Sequence, residues 1–97
     1  MEIQQPLKPG TKVRRATGQI HSEIGGEVVL LNIDTGKYYG MNPVLSRIWN
    51  LIGEDSVDIS DLIAQLLEVY EVSRNECERD LLEALEKLNS ENLLVAI

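Results

Sequence analysis

The chain contains no phenylalanine, and only one cysteine, one histidine and one tryptophan among its 97 residues. Without Phe, the core has to be built from Leu, Ile and Val, with Trp49 as its one large anchor. A single thiol, Cys77, closes no internal disulfide, so nothing requires an oxidising compartment and a cytoplasmic location is expected. Any His-based triad has to include His21, the sole imidazole. No glycine-rich phosphate loop, paired-cysteine metal spacing or nucleotide fingerprint occurs, so no cofactor is expected. The longest uninterrupted apolar stretch, residues 93–97, is far too short to span a bilayer. The opening MEIQQPLKPGTKVRR lacks the apolar centre of a signal peptide.

Positive charge is also scarce: nine basic residues against sixteen acidic ones leave a net charge of −7. Lys8, Lys12, Arg14 and Arg15 against Glu2 make the first fifteen residues +3. The remainder carries −10, with five basic and fifteen acidic residues. An acidic body repels nucleic acid and anionic membrane but tolerates a basic or neutral peptide. A chain this long forms one domain and buries roughly 60–70% of its unfolded surface.

Residues 1–11, with two prolines and a Pro-Gly step, read as a flexible N-terminal arm preceding a single domain over 12–97. The basic stretch 8–15 is either a contact for a partner protein or a disordered segment. Residues 12–24 are strand-like, with Ile20, Ser22 and Ile24 on one face. Gly25-Gly26 signals a hairpin, and EVVLLNI is a well-buried strand. Asp34-Thr35-Gly36 then turns the chain into a short strand over residues 37–41. The pattern predicts a three-stranded antiparallel meander.

At Asn42-Pro43 the period changes. Asn caps a helix and Pro suits its first turn. PVLSRIWNLIGE is apolar nearly all round, predicting a helix buried on most faces and ended by Gly53. Residues 58–71 place Ile59, Leu62, Ile63, Leu66, Leu67 and Tyr70 on one helical stripe, capped by Asp58 or Ser60. Ser73 and Glu76 match a capping box for a third helix to about Asn89. Its stripe is Cys77, Leu81, Ala84, Leu85 and Leu88. Strands followed by helices predict an α+β domain: a three-stranded antiparallel sheet followed by three helices.

Asp34-Thr35-Gly36 also spells the catalytic triplet of an aspartic protease. That chemistry needs two carboxylates sharing a proton, hence a dimer around the triplet in a nearly all-β fold. Half of this chain reads as helix, and the triplet is followed by Lys37 and two tyrosines. A β-turn is the expected role. Cys77 lies on an apolar stripe, as a buried structural thiol does. Glu54, Asp55, Asp58 and Asp61 bracket a helix end and a helix start, where carboxylates cap rather than bind metal. No catalytic constellation is found. A winged helix-turn-helix regulator of DNA is the alternative for three helices beside a small sheet. Yet the third helix is acidic, with Arg74, Arg79 and Lys87 outnumbered.

The last strand, Lys37, Tyr38, Tyr39, Gly40 and Met41, has one free edge in a meander. Alternation places Tyr39 and Met41 on one face, Tyr38 and Gly40 on the other. Glycine inside a strand marks close backbone approach, and tyrosine favours interfaces. Such an edge can accept an extended peptide. Equally, both tyrosines can simply pack on the first helix; the residues alone leave the two readings open.

The stretch GGEVVLLNIDTGKYYGMNPVLSRIWNLIGE followed by DLIAQLLEVYEVSRNECERDLLEALEKLNSENLL resembles PqqD-like proteins. These are the precursor-peptide recognition elements of ribosomal peptide natural-product pathways, and in particular the stand-alone leader-binding proteins of lasso peptide biosynthesis. The likeness covers about residues 18–95 and rests on an ordered combination: an apolar strand, DTGKYYGMN, a Trp-bearing helix, then YEVSRNECERD. The resemblance implies a winged helix-turn-helix-like fold and a non-catalytic role. It implies binding of the leader region of a precursor peptide, presented to a separate cysteine protease and an ATP-dependent cyclase. The leader is expected antiparallel to the strand formed by Lys37, Tyr38, Tyr39, Gly40 and Met41. It is expected to lie in the cleft facing Glu76, Asp80, Glu83, Ala84 and Lys87 of the third helix.

Overall fold

The β-branched and aliphatic runs of the N-terminal half form strands as their composition demands, but two sheets share them. The computed structural model describes residues 7–97. Strands β1 (Lys12–Arg15), β2 (Gln19–Ile24), β3 (Glu27–Asn32) and β4 (Tyr38–Gly40) come first. Strands β2, β3 and β4 make the expected meander, with Ile20 opposite Leu31 and Leu31 opposite Tyr38. The segment 12–24, expected as one strand, is divided. Strand β1 lies at the centre of a second antiparallel sheet, between β5 (Val57–Asp58) and β6 (Leu94–Ala96).

The division has identifiable causes. Gly18 takes φ +87°, a conformation that L side chains resist, and turns the chain between β1 and β2. Arg15 anchors the end of β1: its Nε and a terminal nitrogen donate to the Trp49 carbonyl at 3.1 and 2.8 Å. Its guanidinium also stacks 4.9 Å from the Trp49 ring centre. Just beyond, the Ala16 amide donates to the Leu93 carbonyl, which aligns β1 with the chain's end.

Three helices follow the strands: α1 (Pro43–Ile52), α2 (Ile59–Val69) and α3 (Arg74–Ser90). Each begins as its sequence specifies. Asn42 Oδ1 accepts from the Leu45 amide at 2.8 Å, with Pro43 in the first turn. Ser73 Oγ accepts from the Glu76 amide at 3.1 Å. Asp58 Oδ1 accepts from the amides of Ser60 (2.8 Å) and Gly10 (3.1 Å). That carboxylate therefore caps α2 and ties down the segment entering β1. In the same segment Leu7 packs on the core and Thr11 is buried. Residues 1–6 of the expected arm lie outside the described residues; Lys12, Arg14 and Arg15 of the basic stretch are strand residues.

The core is aliphatic around one indole, as the lack of Phe requires. Among the described residues Trp49 is the largest fully buried side chain, and it shares one cluster with Leu, Ile and Val from both sheets and all three helices. Helix α1 is not buried all round: Val44 remains 48% exposed. Among the described residues no helix is long and apolar enough to cross a membrane.

A polar side chain on α1 enters this core. Ser46, on α1, is 2% exposed. Its Oγ accepts from the Val28 amide at 2.8 Å and donates to the Met41 carbonyl at 3.2 Å. The Met41 amide donates to the Val28 carbonyl at 2.9 Å. At the end of the β3–β4 ladder, one of the two bonds is thus made through a helix hydroxyl. Ser46→Ala should strand a buried amide and a buried carbonyl together, costing about 1–3 kcal/mol. Urea unfolding, with the slope unchanged, measures that loss.

A second prediction concerns Asp58. Its pKa is lowered chiefly by the Ser60 amide, against the opposing effect of burial, and further by Gly10 and Lys12. A carboxyl with a depressed folded pKa stabilises the fold above its unfolded pKa and stops doing so as pH falls through the folded one. Asp58→Ala should lower stability at neutral pH, where the carboxylate caps α2. The gap between variant and parent should close on acidification below the ordinary aspartate value, as read from denaturation at both pH values.

Candidate functional site

The site begins with the hydrogen-bond phase of β4. On one side the strand pairs with β3; among the described residues no strand occupies the other. The Lys37 carbonyl accepts from Asn32, and the Met41 amide donates to Val28. Bonded and non-bonded residues alternate along an antiparallel ladder, so Tyr39, opposite Leu30, also faces β3. Tyr38 and Gly40 consequently turn their amides and carbonyls to the open edge. Both residues are exposed, Tyr38 to 72%.

The turn that launches β4 is held from an unexpected position. Asn32 Oδ1 accepts from the amides of Asp34 (3.0 Å) and Thr35 (3.2 Å). Gly36, at φ +73°, donates to the Asn32 carbonyl at 2.8 Å. The side-chain cap of this turn is therefore Asn32, which precedes the triplet. An Asn ahead of the turn was the available signal, since Asx side chains bond amides two residues on.

Side-chain alternation follows the expected pattern, with a correction at Met41. Tyr39 and Met41 face inward while Tyr38 and Gly40 face outward. However, Met41 is only 3% exposed and belongs to the core, so its side chain offers nothing at the surface. Tyr39 is half-buried, and its hydroxyl donates to Glu91 Oε2 at 3.2 Å, joining β4 to the C-terminal end of α3. Burial first, and then the Glu91 carboxylate, push the Tyr39 pKa up.

Next to the strand's C-terminal end lies an open groove of about 610 Å³. It starts at Asn42 and runs between all three helices. Val44, Leu45 and Ile48 of α1 form one wall, and Leu81 and Ala84 of α3 the other. Leu66, Tyr70 and Val72 close it at the end of α2. Asp80, Glu83 and Lys87 also line it, setting two acids and one base beside an apolar floor. Cys77 is there too, free and buried, its thiol pKa raised first by burial and then by Asp80, with Arg74 opposing.

Of the residues expected on α3, the structure therefore gathers Asp80, Glu83, Ala84 and Lys87 into the groove. Glu76 is exposed in the first turn and is not among the lining residues. Nor does residue 37, 38, 39, 40 or 41 line it. The cleft is not a simple slot between β4 and α3: it opens where β4 ends. The α1 and α2 residues were absent from the expected site. Their signal was faint: an apolar helix with more hydrophobic faces than its neighbours could cover, and Tyr70-Val72 at a helix end.

Comparison with known proteins fits this geometry. A solved structure described as "TbiB1 in Complex with the TbiA(beta) Leader Peptide" superposes with a TM-score of 0.76 and 32% identity, over 84% of this chain and 93% of that one. Another, "Lasso peptide synthetase B1 complexed with the leader peptide", shares the fold at a TM-score of 0.71 and 21% identity, over 86% and 96%. A search of curated proteins finds no match. The family described as Coenzyme PQQ synthesis protein D (PqqD) matches residues 27–94. That family model spans more than half of the sequence, and the chain belongs to the PqqD family.

Proposed function

We propose that the protein is a non-catalytic adaptor for a ribosomally made precursor peptide in a lasso pathway. It takes the leader as a fourth strand on β4 and presents the rest to a separate cysteine protease and an ATP-dependent cyclase. The observation that carries this reading is the pair of outward-facing peptide groups at Tyr38 and Gly40, beside an apolar groove. The 32%-identical structure, whose description names a bound leader peptide, supports it.

Gly40 adds a second argument. Its Cβ position meets no atom within 4 Å and its φ is not in the left-handed region. Nothing inside the chain requires glycine there, although glycine weakens a strand. A visiting backbone supplies the missing reason.

Magnitudes divide the labour between edge and groove. Two residues offer four main-chain bonds, each worth about 0.5–1.5 kcal/mol net. Ordering each guest residue costs about 1–2 kcal/mol of backbone entropy. Main-chain pairing therefore roughly breaks even and sets direction rather than affinity. A Leu- or Val-sized side chain fully buried in the groove contributes about 1.5–3 kcal/mol. Antiparallel pairing puts the leader's N-terminal part next to Asn42, so its anchors enter the groove from that end. Asp80 and Glu83 favour basic or polar neighbours beside those anchors.

Gly40→Pro removes one outward amide without touching a β3–β4 bond. Leader binding by fluorescence anisotropy should fall at least about tenfold while circular dichroism stays native. Unchanged affinity in a folded variant would count against strand addition at this edge. Salt tests the DNA-regulator alternative. Leader affinity should change little on raising salt from roughly 50 to 200 mM, whereas phosphate-driven binding falls by orders of magnitude.

A further inference from the structure

A second cavity shares no lining residue with the groove. It measures about 460 Å³ and opens where β1 parts from β2. Arg14, Arg15, Gln19 and His21 border it on the strand side, Trp49 and Glu54 on the side of α1. Two buried polar atoms on this wall lack a hydrogen-bond partner: Trp49 Nε1, a donor, and Gln19 Oε1, an acceptor. Trp49 is 1% exposed. Among the described residues no other buried side-chain nitrogen or oxygen is left so, and both fall on one cavity. Buried polar groups are ordinarily paired, and an exception calls for a reason. The Gln19 carboxamide is loosely held, its nitrogen reaching the Thr17 carbonyl at 3.5 Å, so it is free to adjust to a guest.

Charge narrows what that guest can be. Arg15 is already committed: it bonds the Trp49 carbonyl, stacks on the indole and lies near Glu54. Arg14 is not, since its guanidinium makes one long bond, 3.4 Å to the Arg15 carbonyl. With Glu54 set against Arg15, the wall keeps one uncompensated guanidinium. A guest must therefore bring an acceptor for the indole, a donor for the Gln19 oxygen and one negative charge for Arg14. A cation is repelled. A phosphate, rich in acceptors, sets further oxygens against Gln19 Oε1 and Glu54. An acidic residue within a polypeptide supplies all three, from its carboxylate and a peptide N–H. Lys12, exposed two residues before Arg14 on β1, carries positive charge beyond the cavity, which favours an acidic chain over a small free acid.

We infer that this cavity is a docking site for an acidic loop of a partner protein, which places one Asp or Glu carboxylate between Arg14 and the Trp49 indole and one peptide N–H on Gln19. The groove and the β4 edge stay free while it is filled.

Trp49 is the sole tryptophan, so its indole N–H gives a single resonance in the heteronuclear NMR spectrum of the full chain. Titration with N-acetyl-aspartate N-methylamide should move that resonance saturably, with a Kd of about 1–10 mM. The asparagine analogue should bind about tenfold more weakly, and so should the aspartate probe to Arg14→Gln. Leader affinity in Arg14→Gln should stay within about twofold of the parent. An indole resonance that does not move at about 50 mM aspartate probe overturns the inference. So does equal binding of the asparagine analogue, or of the aspartate probe to Arg14→Gln. Acetate that matches the aspartate probe would assign the site to a small free acid and overturn it too. A water that stays at the indole N–H throughout the titration, seen by cross-relaxation, would give the cavity to solvent with the same result. If Arg14→Gln is unfolded by circular dichroism, Gln19→Leu carries the same comparison from the acceptor side.

Discussion

The hydroxyl of Ser46 decides where the edge strand ends and the helices begin. It is interposed between the Val28 amide and the Met41 carbonyl, so β3, β4 and α1 share one buried hydrogen-bonded junction. Four residues earlier, Asn42 caps α1 and opens the groove. The open edge and the apolar walls are therefore fixed relative to each other by main-chain geometry rather than by surface contacts. Under the proposed function, a site built this way would need little rearrangement to receive an extended peptide, which lowers the entropic cost of binding.

A second constraint works from the other end of β4. Asn32 closes the turn with its side chain, and Tyr39 reaches Glu91 at the end of α3. Between these supports the strand is only three residues long. Brevity blunts an edge against promiscuous pairing, as natural sheets require. Beyond its end lies the groove, where Asp80, Glu83 and Lys87 border the apolar lining.

Much of this was legible in the sequence because local signals agreed with the final fold. The caps at Asn42, Asp58 and Ser73, the stripes of α2 and α3, and the hairpin at Gly25-Gly26 each state their role in a few residues. The strand β4 was legible as an edge because nothing after residue 41 reads as its partner. The second sheet was not. β5 has two residues and β6 three, too few for any period to show, and both exist only because β1 lies between them. The groove was half legible. The α3 residues share a face and follow from periodicity, but the α1 and α2 walls depend on how three helices meet. Met41 was misplaced for a related reason: alternation gives its face correctly but does not say that this face is already covered.

The pairing of β1 with β6 joins the two ends of the domain. Val13 lies opposite Ala96, and the Ile97 amide donates to the Lys12 carbonyl at 2.8 Å. During synthesis on the ribosome, the central strand of that sheet waits for almost the whole domain to emerge before its neighbour exists. Such long-range closure slows folding relative to the local hairpin and helices. The inner face of the nascent meander, carrying Val28 and Leu30, consequently stays uncovered until the helices that bury it have been added.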